Sequence, residues 1–268
     1  MIAVALLLGI GAVSWLSPLA VQQGGYREVA ANTFPSGQRI MVLVPSSYSD
    51  SVGAPLIIYH HGVGEDQRAL LKDRLKGECV KALLKAGYIL AGSNAHGNNW
   101  GCREALDSYV ELYRYLISHY RIERTSFWSQ SMGGMSGLLA LRDKRIPNVI
   151  GWLGTYPVTN LKSSYGMKRF AEQIQASFHF SESSEFGERT TGFDPVQLSP
   201  ESFKVQRVRI YASTQDTVVP KVDHTDVLAR ILAKGRREFE VVTCRGEHGD
   251  PSHFNPAEYV AFFDRCRP

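Results

Sequence analysis

A tight, glycine-containing stretch at 129–134 holds the residue best suited to act as a nucleophile. It reads Ser-Gln-Ser-Met-Gly-Gly and lies between a predicted strand and a predicted helix. A strand–turn–helix elbow is so sharp that the residues two before and two after the nucleophile must be small, and here they are Ser129 and Gly133. Glycine is usual at both positions, so Ser129 is a departure. We expect the Ser131 hydroxyl to stand exposed above the positive end of the following helix. A helix start with an incidental serine is the alternative.

A serine hydroxyl needs a base to accept its proton, and the base needs a carboxylate to hold its tautomer. Asp216 follows one predicted strand, and His248 follows the next, 32 residues later. Because the carboxyl ends of parallel strands meet at one edge of a sheet, we expect both side chains to lie beside Ser131. Alternatively, Asp216 caps a helix and His248 is an ordinary loop histidine. Asp223 and Asp250 are the next candidates for the acid.

A glycine-containing segment at 60–64, His-His-Gly-Val-Gly, directly follows another predicted strand. Glycine there lets the backbone approach a substrate and present an amide. We assign the donors of an oxyanion hole to the backbone N–H groups of Val63 and Met132. We expect Gly62 and His61 to border the substrate, with His61 ordering the loop through hydrogen bonds. The HxHxDH spacing of metal hydrolases is absent, so we predict no metal, and the chemistry requires no organic cofactor.

Alternating strands and helices must position these residues. Strands are predicted over 26–34, 38–44, 55–59, 88–93, 125–130, 149–156, 207–213 and 238–244, and helices over 67–86, 107–120, 132–141, 165–178, 221–232 and 256–265. The first two strands read as an antiparallel hairpin, and the later strands alternate with helices. This order predicts an α/β fold with a mostly parallel central sheet, antiparallel N-terminal strands and helices on both faces.

Residues 162–203 interrupt the alternation. They contain the helical piece at 165–178 and then a polar stretch at 181–192. An insertion between two strands of such a sheet usually covers a site, so we predict a small cap before the strand that carries Asp216. A plain surface excursion is the alternative.

The length of 268 residues suits one large α/β domain, which we place at 26–268. With 44% hydrophobic and 21% charged residues, the composition excludes disorder and fibrous repeats. The net charge of +4 is spread along the chain, and two glutamates closely follow the densest basic cluster, 234–237. Such an interleaved excess does not form the basic face that binds nucleic acid.

The N-terminal residues 2–21 carry no charge, and 2–16 are broken only by two glycines and one serine. This run fits the apolar region of a secretory signal, and residues 2–21 are just long enough to span a bilayer. We therefore expect 1–21 to be a signal peptide or a membrane anchor, and the protein to be exported, secreted or anchored outside the cytoplasm. No basic residue precedes the run, and Pro18-Leu19-Ala20 is a poor cleavage site. A buried first element of a cytoplasmic protein is the alternative.

Four cysteines, Cys79, Cys102, Cys244 and Cys266, allow two disulfides in an oxidising compartment. Cys244 ends a predicted strand, and Cys266 ends the helix that returns antiparallel to it. These two should lie at opposite edges of the sheet, beyond the limit of roughly 7 Å between the Cα atoms of a bridge. The other pairings stay open, and no spacing indicates a zinc site.

The chain resembles the serine hydrolases of the α/β-hydrolase superfamily over residues 26–265. The resemblance rests on Val-Leu-Val-Pro-Ser-Ser at 42–47, His-His-Gly at 60–62, Ser-Met-Gly-Gly at 131–134, Asp216, and Gly-Glu-His-Gly at 246–249. Within the superfamily it is similar to secreted esterases of the feruloyl-esterase and polyester-depolymerase kind, and to prolyl-oligopeptidase-like hydrolases. The loop at 94–101 resembles one that follows the fourth strand in such enzymes. This implies that His96 and Trp100 line the acyl pocket, with packing at the sheet edge as the alternative for Trp100.

The resemblance implies that the protein cleaves a carboxylic ester, small or polymeric, through an acyl-enzyme. A peptidase, thioesterase or lactonase would use the same residues. A peptidase would also need an anchor for the peptide N-terminus, such as a pair of glutamates, and we identify none. The polar stretch at 181–192 favours short or bulky water-soluble esters over the long acyl chains of a lipase. A non-catalytic binding protein with this fold is the remaining alternative.

Overall fold

A nine-stranded sheet forms the centre of the computed structural model, which describes residues 19–23, 25–31, 36–236 and 238–266. The strands are β1 (Leu19–Gln23), β2 (Tyr26–Ala31), β3 (Ile40–Pro45), β4 (Ala54–His60), β5 (Ile89–Ser93), β6 (Ile122–Gln130), β7 (Val149–Thr155), β8 (Arg207–Ser213) and β9 (Phe239–Cys244). Their order in the sheet is β1-β2-β3-β5-β4-β6-β7-β8-β9. The first three strands pair antiparallel, and all pairs from β5 to β9 are parallel. The predicted fold class is confirmed.

Helices cover both faces of the sheet. They are α1 (Ala69–Lys72), α2 (Arg74–Lys85), α3 (Arg103–His119), α4 (Gly133–Asp143), α5 (Leu161–Tyr165), α6 (Lys168–Ser177), α7 (Phe186–Arg189), α8 (Thr225–Lys234) and α9 (Pro256–Arg265). Apolar side chains of α3, α4, α6 and α8 share one buried cluster, and those of α2 and α9 share another. Along β3 the side chains alternate between the clusters: Val42 and Val44 belong to the first, Met41 and Leu43 to the second. The sheet is therefore buried between two cores.

The insertion between β7 and β8 contains α5, α6 and α7, as the predicted cap requires. It packs beside the loop that follows β5, where the Ser177 hydroxyl donates to the Asn98 carbonyl oxygen at 2.6 Å. The single helix predicted over 165–178 is two helices, α5 and α6, which are separated by Gly166 and Met167.

The helix predicted over 67–86 is likewise divided, into α1 and α2. Asp73 stands between them with an extended backbone, and its side chain accepts a hydrogen bond from the Lys76 amide at 2.9 Å. An aspartate in this position caps the start of a helix, so α2 begins after Asp73 although apolar residues occur on both sides of the break.

The strand β1 was not predicted. It pairs antiparallel with β2, with Leu19 opposite Ala30. Residues 19–21, counted in the predicted signal or anchor, thus belong to the sheet, whereas 1–18 lie outside the described residues. No helix in the described ranges is long and apolar enough to cross a membrane.

The four cysteines are free and buried, so the disulfides that their even number allowed are absent. Cys102 belongs to one apolar cluster and the other three to the opposite one. Cys244 ends β9, whereas Cys266 lies near the start of β7, since a Cβ atom added at Gly151 would stand 2.6 Å from its Sγ. Burial raises the pKa of Cys79 and Cys102 to about 12 and that of Cys244 and Cys266 to about 11.

Candidate active site

Ser131 occupies a strained turn between β6 and α4. Its φ of +50° lies in the left-handed region, which non-glycine residues rarely adopt. The turn is held by the Ser131 amide, which donates to Thr155 O at 3.1 Å, and by the Ser131 carbonyl, which accepts from Val158 at 2.7 Å. Gly133 is required here, because a Cβ atom would stand 2.1 Å from the carbonyl oxygen of His60. Backbone strain of this kind is typical of functional turns.

Ser129, the departure from the usual glycine, has a structural role beneath the elbow. Its hydroxyl accepts a hydrogen bond from the Trp152 indole at 3.0 Å and lies 3.2 Å from His60 Nδ1. The space for this hydroxyl is left by Gly137, where a Cβ atom would stand 2.2 Å from Ser129 Oγ. The small side chain thus joins a buried polar network that the motif alone did not predict.

The structure brings Ser131, His248 and Asp216 together in one row. Ser131 Oγ lies 3.0 Å from His248 Nε2, and His248 Nδ1 lies 2.7 Å from Asp216 Oδ2. With the Nδ1 hydrogen donated to the carboxylate, Nε2 is free to accept the serine proton. The ring of Tyr156 packs against the imidazole at 4.3 Å between centroids. This arrangement can withdraw a proton from Ser131.

Asp216 is 4% exposed and is held from both sides. Its second oxygen, Oδ1, accepts the amides of Val218 at 2.9 Å and Val219 at 2.8 Å. Burial would raise the pKa of this carboxyl, but the bonds from His248 and the two amides outweigh it and lower the pKa below the usual value. The surroundings of Asp216 therefore favour a carboxylate beside the imidazole of His248. Asp250, by contrast, accepts from the amide of Ser252.

Two residues to which the sequence analysis gave no role join the loop that holds Asp216 to the loop that holds His248. Glu247 Oε2 accepts the amide of Thr217 at 3.1 Å, and Gln215 Oε1 accepts the amide of Gly246 at 2.7 Å. Each bond joins the loop after β8 to the loop after β9. The only sequence signal for them is their position next to Asp216 and His248.

The backbone amides of Val63 and Met132 donate to no protein atom within the described part of the chain. Met132 precedes the first residue of α4, where amides lack a partner inside the helix and where its dipole is positive. Gly62 lies against the nucleophile, since a Cβ atom added there would be 3.4 Å from Ser131 Cβ. Two backbone donors without a protein partner among the described residues thus lie next to Gly62 and Ser131 in the chain.

His61 does not border a substrate as the sequence suggested, because it is 1% exposed. Its ring nitrogens lie 2.8 Å from Gly62 O and 3.0 Å from Asn94 O. The side chain therefore ties the loop after β4 to the loop after β5, which is the ordering role that was expected of it.

Of the two residues predicted to line the acyl pocket, His96 is exposed and Trp100 is not. Trp100 is fully buried and packs on Phe170 with 5.0 Å between ring centroids, which corrects its predicted contact with substrate. His96 lines a cleft of about 410 Å³ between the loop after β5 and α6, with Asn98, Gln173, Ser177 and His179 among its walls. In the described residues, no group of three or more His, Cys, Asp or Glu side chains is arranged to hold a metal ion.

No protein-family model matches the chain, and no curated protein matches it in sequence. Among solved structures, an S-formylglutathione hydrolase from Agrobacterium tumefaciens is similar over 94% of this chain and 98% of its own, with a TM-score of 0.70 and 12% identity. A fluorophosphonate-binding serine hydrolase of Staphylococcus aureus is similar over 91% of this chain and 98% of its own, with a TM-score of 0.69 and 14% identity.

An acylaminoacyl peptidase of Pyrococcus horikoshii is similar over 89% of this chain, with a TM-score of 0.67 and 14% identity. The chain spans 41% of the length of that peptidase. These likenesses show the fold, which is the α/β-hydrolase fold.

Proposed function

We propose that the protein is a serine hydrolase that cleaves carboxylic esters through an acyl-enzyme. The observation that carries this proposal is the row of contacts at 3.0 Å and 2.7 Å that joins Ser131 to His248 and His248 to Asp216. It occurs at a strained elbow beside two unpaired amides, which is the combination that acyl transfer requires.

In the proposed reaction, Ser131 Oγ attacks the ester carbonyl while His248 Nε2 takes the hydroxyl proton. Asp216 stabilises the imidazolium that forms. The amides of Val63 and Met132 donate to the oxyanion, and loss of one such donor typically costs about 3–4 kcal/mol of transition-state stabilisation. His248 then gives its proton to the departing alcohol, and afterwards activates the water that releases the acid.

The cleft beside His96 favours substrates in which the ester carries a polar group. This cleft adjoins the loop at 62–64, which carries the proposed oxyanion donor of Val63, because Asn98 Oδ1 in its wall accepts the Gly64 amide at 2.7 Å. Polar side chains stand in this cleft among mostly apolar surface, so it suits a bulky water-soluble group next to the scissile bond. Its acidic residue, Glu104, is paired with His179 at 3.1 Å. A single paired carboxylate is a poor anchor for a peptide N-terminus, which favours an ester over a peptide substrate.

The test compares the wild type with Ser131→Ala on nitrophenyl esters of increasing acyl length, a thioester and a peptide nitroanilide. We expect ester hydrolysis in the wild type and its loss by several orders of magnitude in Ser131→Ala, with Ser46→Ala, an exposed serine, as the control. Faster cleavage of the peptide than of every ester would replace the proposal with a peptidase. Equal ester hydrolysis in Ser131→Ala would refute the role of this serine.

A further inference from the structure

An ion pair lies next to the loop at 62–64 and joins a buried lysine to a carboxylate whose side chain is 24% exposed. Lys76 of α2 is 1% exposed, and its Nζ atom lies 2.6 Å from Glu65 Oε1. The ammonium also stands 5.1 Å from the centroid of the Tyr59 ring. A charge removed from water in this way is costly unless a partner compensates it, so Lys76 and Glu65 depend on each other.

The other oxygen of Glu65 faces the proposed oxyanion loop. Glu65 Oε2 accepts the Gly62 amide at 2.8 Å, one residue before Val63. On the far side of Val63, the Gly64 amide donates to Asn98. The free amide of Val63 is therefore flanked by two anchored amides, both of them on glycines. Because glycine restricts the backbone least, these anchors limit how far the peptide of Val63 can turn.

Glu65 also reaches the elbow of the nucleophile. The Tyr59 hydroxyl lies 3.1 Å from Glu65 Oε2 and 2.8 Å from Gln130 Oε1, so its one hydrogen serves these two acceptors. Gln130 directly precedes Ser131, and Met132 directly follows Ser131. A chain of contacts thus runs from Lys76 through Glu65 to both segments that carry an unpaired amide.

The surroundings of Glu65 favour its charged form. Burial would raise the pKa of its carboxyl, but the ammonium of Lys76 and the amide of Gly62 outweigh burial and lower that pKa. The carboxylate is therefore a charged acceptor for the Gly62 amide, and charge-assisted hydrogen bonds are about twice as strong as neutral ones.

We propose that Lys76 and Glu65 are positioning residues that hold both donors of the oxyanion hole in place, an inference that rests on the function proposed for Ser131. Neither side chain contacts the reacting atoms. Buried ion pairs can often be replaced by apolar residues without loss of stability, so a merely structural pair would be dispensable for the reaction. A positioning pair would not.

The experiment follows the reaction of Ser131 with a fluorophosphonate, which needs no known substrate. Oγ forms a bond to phosphorus, fluoride leaves, His248 takes the proton, and the phosphoryl oxygen faces the oxyanion donors. We expect Glu65→Gln to lower the maximal rate of phosphonylation about 10- to 100-fold, with an unchanged half-saturating concentration. This is less than the loss of a whole donor, about 10²–10³, because a glutamine oxygen can still accept from Gly62. The control is Asp66→Asn, which changes the next carboxylate and should leave the rate unaltered.

The double variant Glu65→Leu with Lys76→Met separates positioning from folding. We expect it to unfold at a urea concentration near that of the wild type while its maximal rate stays at least about tenfold lower. A wild-type rate in Glu65→Gln, or in the folded double variant, would overturn the inference. If the wild type is labelled at Ser131 but hydrolyses no ester, the proposed function fails, and the labelling rates of the Glu65 variants still decide the positioning role. Without labelling of Ser131 in the wild type, both fail.

Discussion

Replacement of Asp216 by asparagine tests how the base is held. Asp216 Oδ1 accepts two backbone amides, and Oδ2 lies 2.7 Å from His248 Nδ1. In Asp216→Asn the amide oxygen must stay with the two backbone donors, because an NH₂ group there would face N–H groups. The NH₂ group is therefore turned towards His248 Nδ1. A nitrogen that meets a donor must accept, so the proton of the neutral ring moves to Nε2.

The consequence for Ser131 follows directly. Nε2 would carry a hydrogen where it now lies 3.0 Å from Ser131 Oγ, and it could no longer accept the serine proton. Loss of the correct tautomer lowers kcat by about 10⁴-fold in serine hydrolases with such a triad, equivalent to about 5.5 kcal/mol of activation free energy. The change is isosteric and keeps both amide bonds, so we expect the free energy of unfolding to fall by less than about 2 kcal/mol at neutral pH.

The assay is kcat on the ester whose hydrolysis depends on Ser131, with ¹⁵N NMR of the imidazole to identify the protonated nitrogen. Asp223→Asn serves as the control, since Asp223 is exposed and close in sequence. We expect it to retain activity within about threefold. A kcat for Asp216→Asn within tenfold of the wild type, or a proton that remains on Nδ1, would refute the reasoning.

Two further predictions concern stability. Gly133→Ala should lower the free energy of unfolding by about 3 kcal/mol, because the new Cβ atom would meet the His60 carbonyl. Its control, Gly77→Ala in α2, adds a Cβ atom in open space and should raise the free energy of unfolding by about 0.5–1 kcal/mol. Equal effects of the two variants in urea unfolding would contradict this prediction. Burial lowers the pKa of His60 to about 3 and that of His224 to about 4. As the pH falls, these rings are therefore protonated in the unfolded chain before they are protonated in the folded protein. The free energy of unfolding should thus fall below about pH 6.5, by about 1.4 kcal/mol per pH unit for each ring. His224→Asn keeps an acceptor for the two backbone amides that donate to His224 Nδ1. This variant should remove the contribution of one ring from the slope of unfolding free energy against pH between about pH 6 and 4.5. An unchanged slope would refute the role of His224 in this pH dependence.

The row of Ser131, Asp216 and His248 could be predicted because its geometry follows from topology. Each residue lies within four positions of the end of a predicted strand, and parallel strands bring their carboxyl ends to one edge. The positions of strands and helices could be predicted from the pattern of apolar residues, because that pattern reflects burial. In β3, for example, successive apolar side chains enter the cores on opposite faces of the sheet.

Contacts between distant residues could not be predicted in this way. Trp100 in the sequence fits either a pocket wall or a core, and only its packing on Phe170 decides between them. The partner of Glu65 is Lys76, a residue on a separate helix whose start at Asp73 was itself missed. No motif links such a pair, because the link is made by burial.

The register of the first three strands has a consequence for how the molecule is oriented. Leu19 pairs with Ala30, Ala31 with Ile40, and Ile40 with Ser93 at the carboxyl end of β5. The chain thus joins the sheet at the same rim at which Ser131 and His248 stand, several strands away. A membrane anchor before Leu19, one of the two roles expected from the sequence for 1–21, would therefore be attached to the sheet at the rim that holds Ser131 and His248.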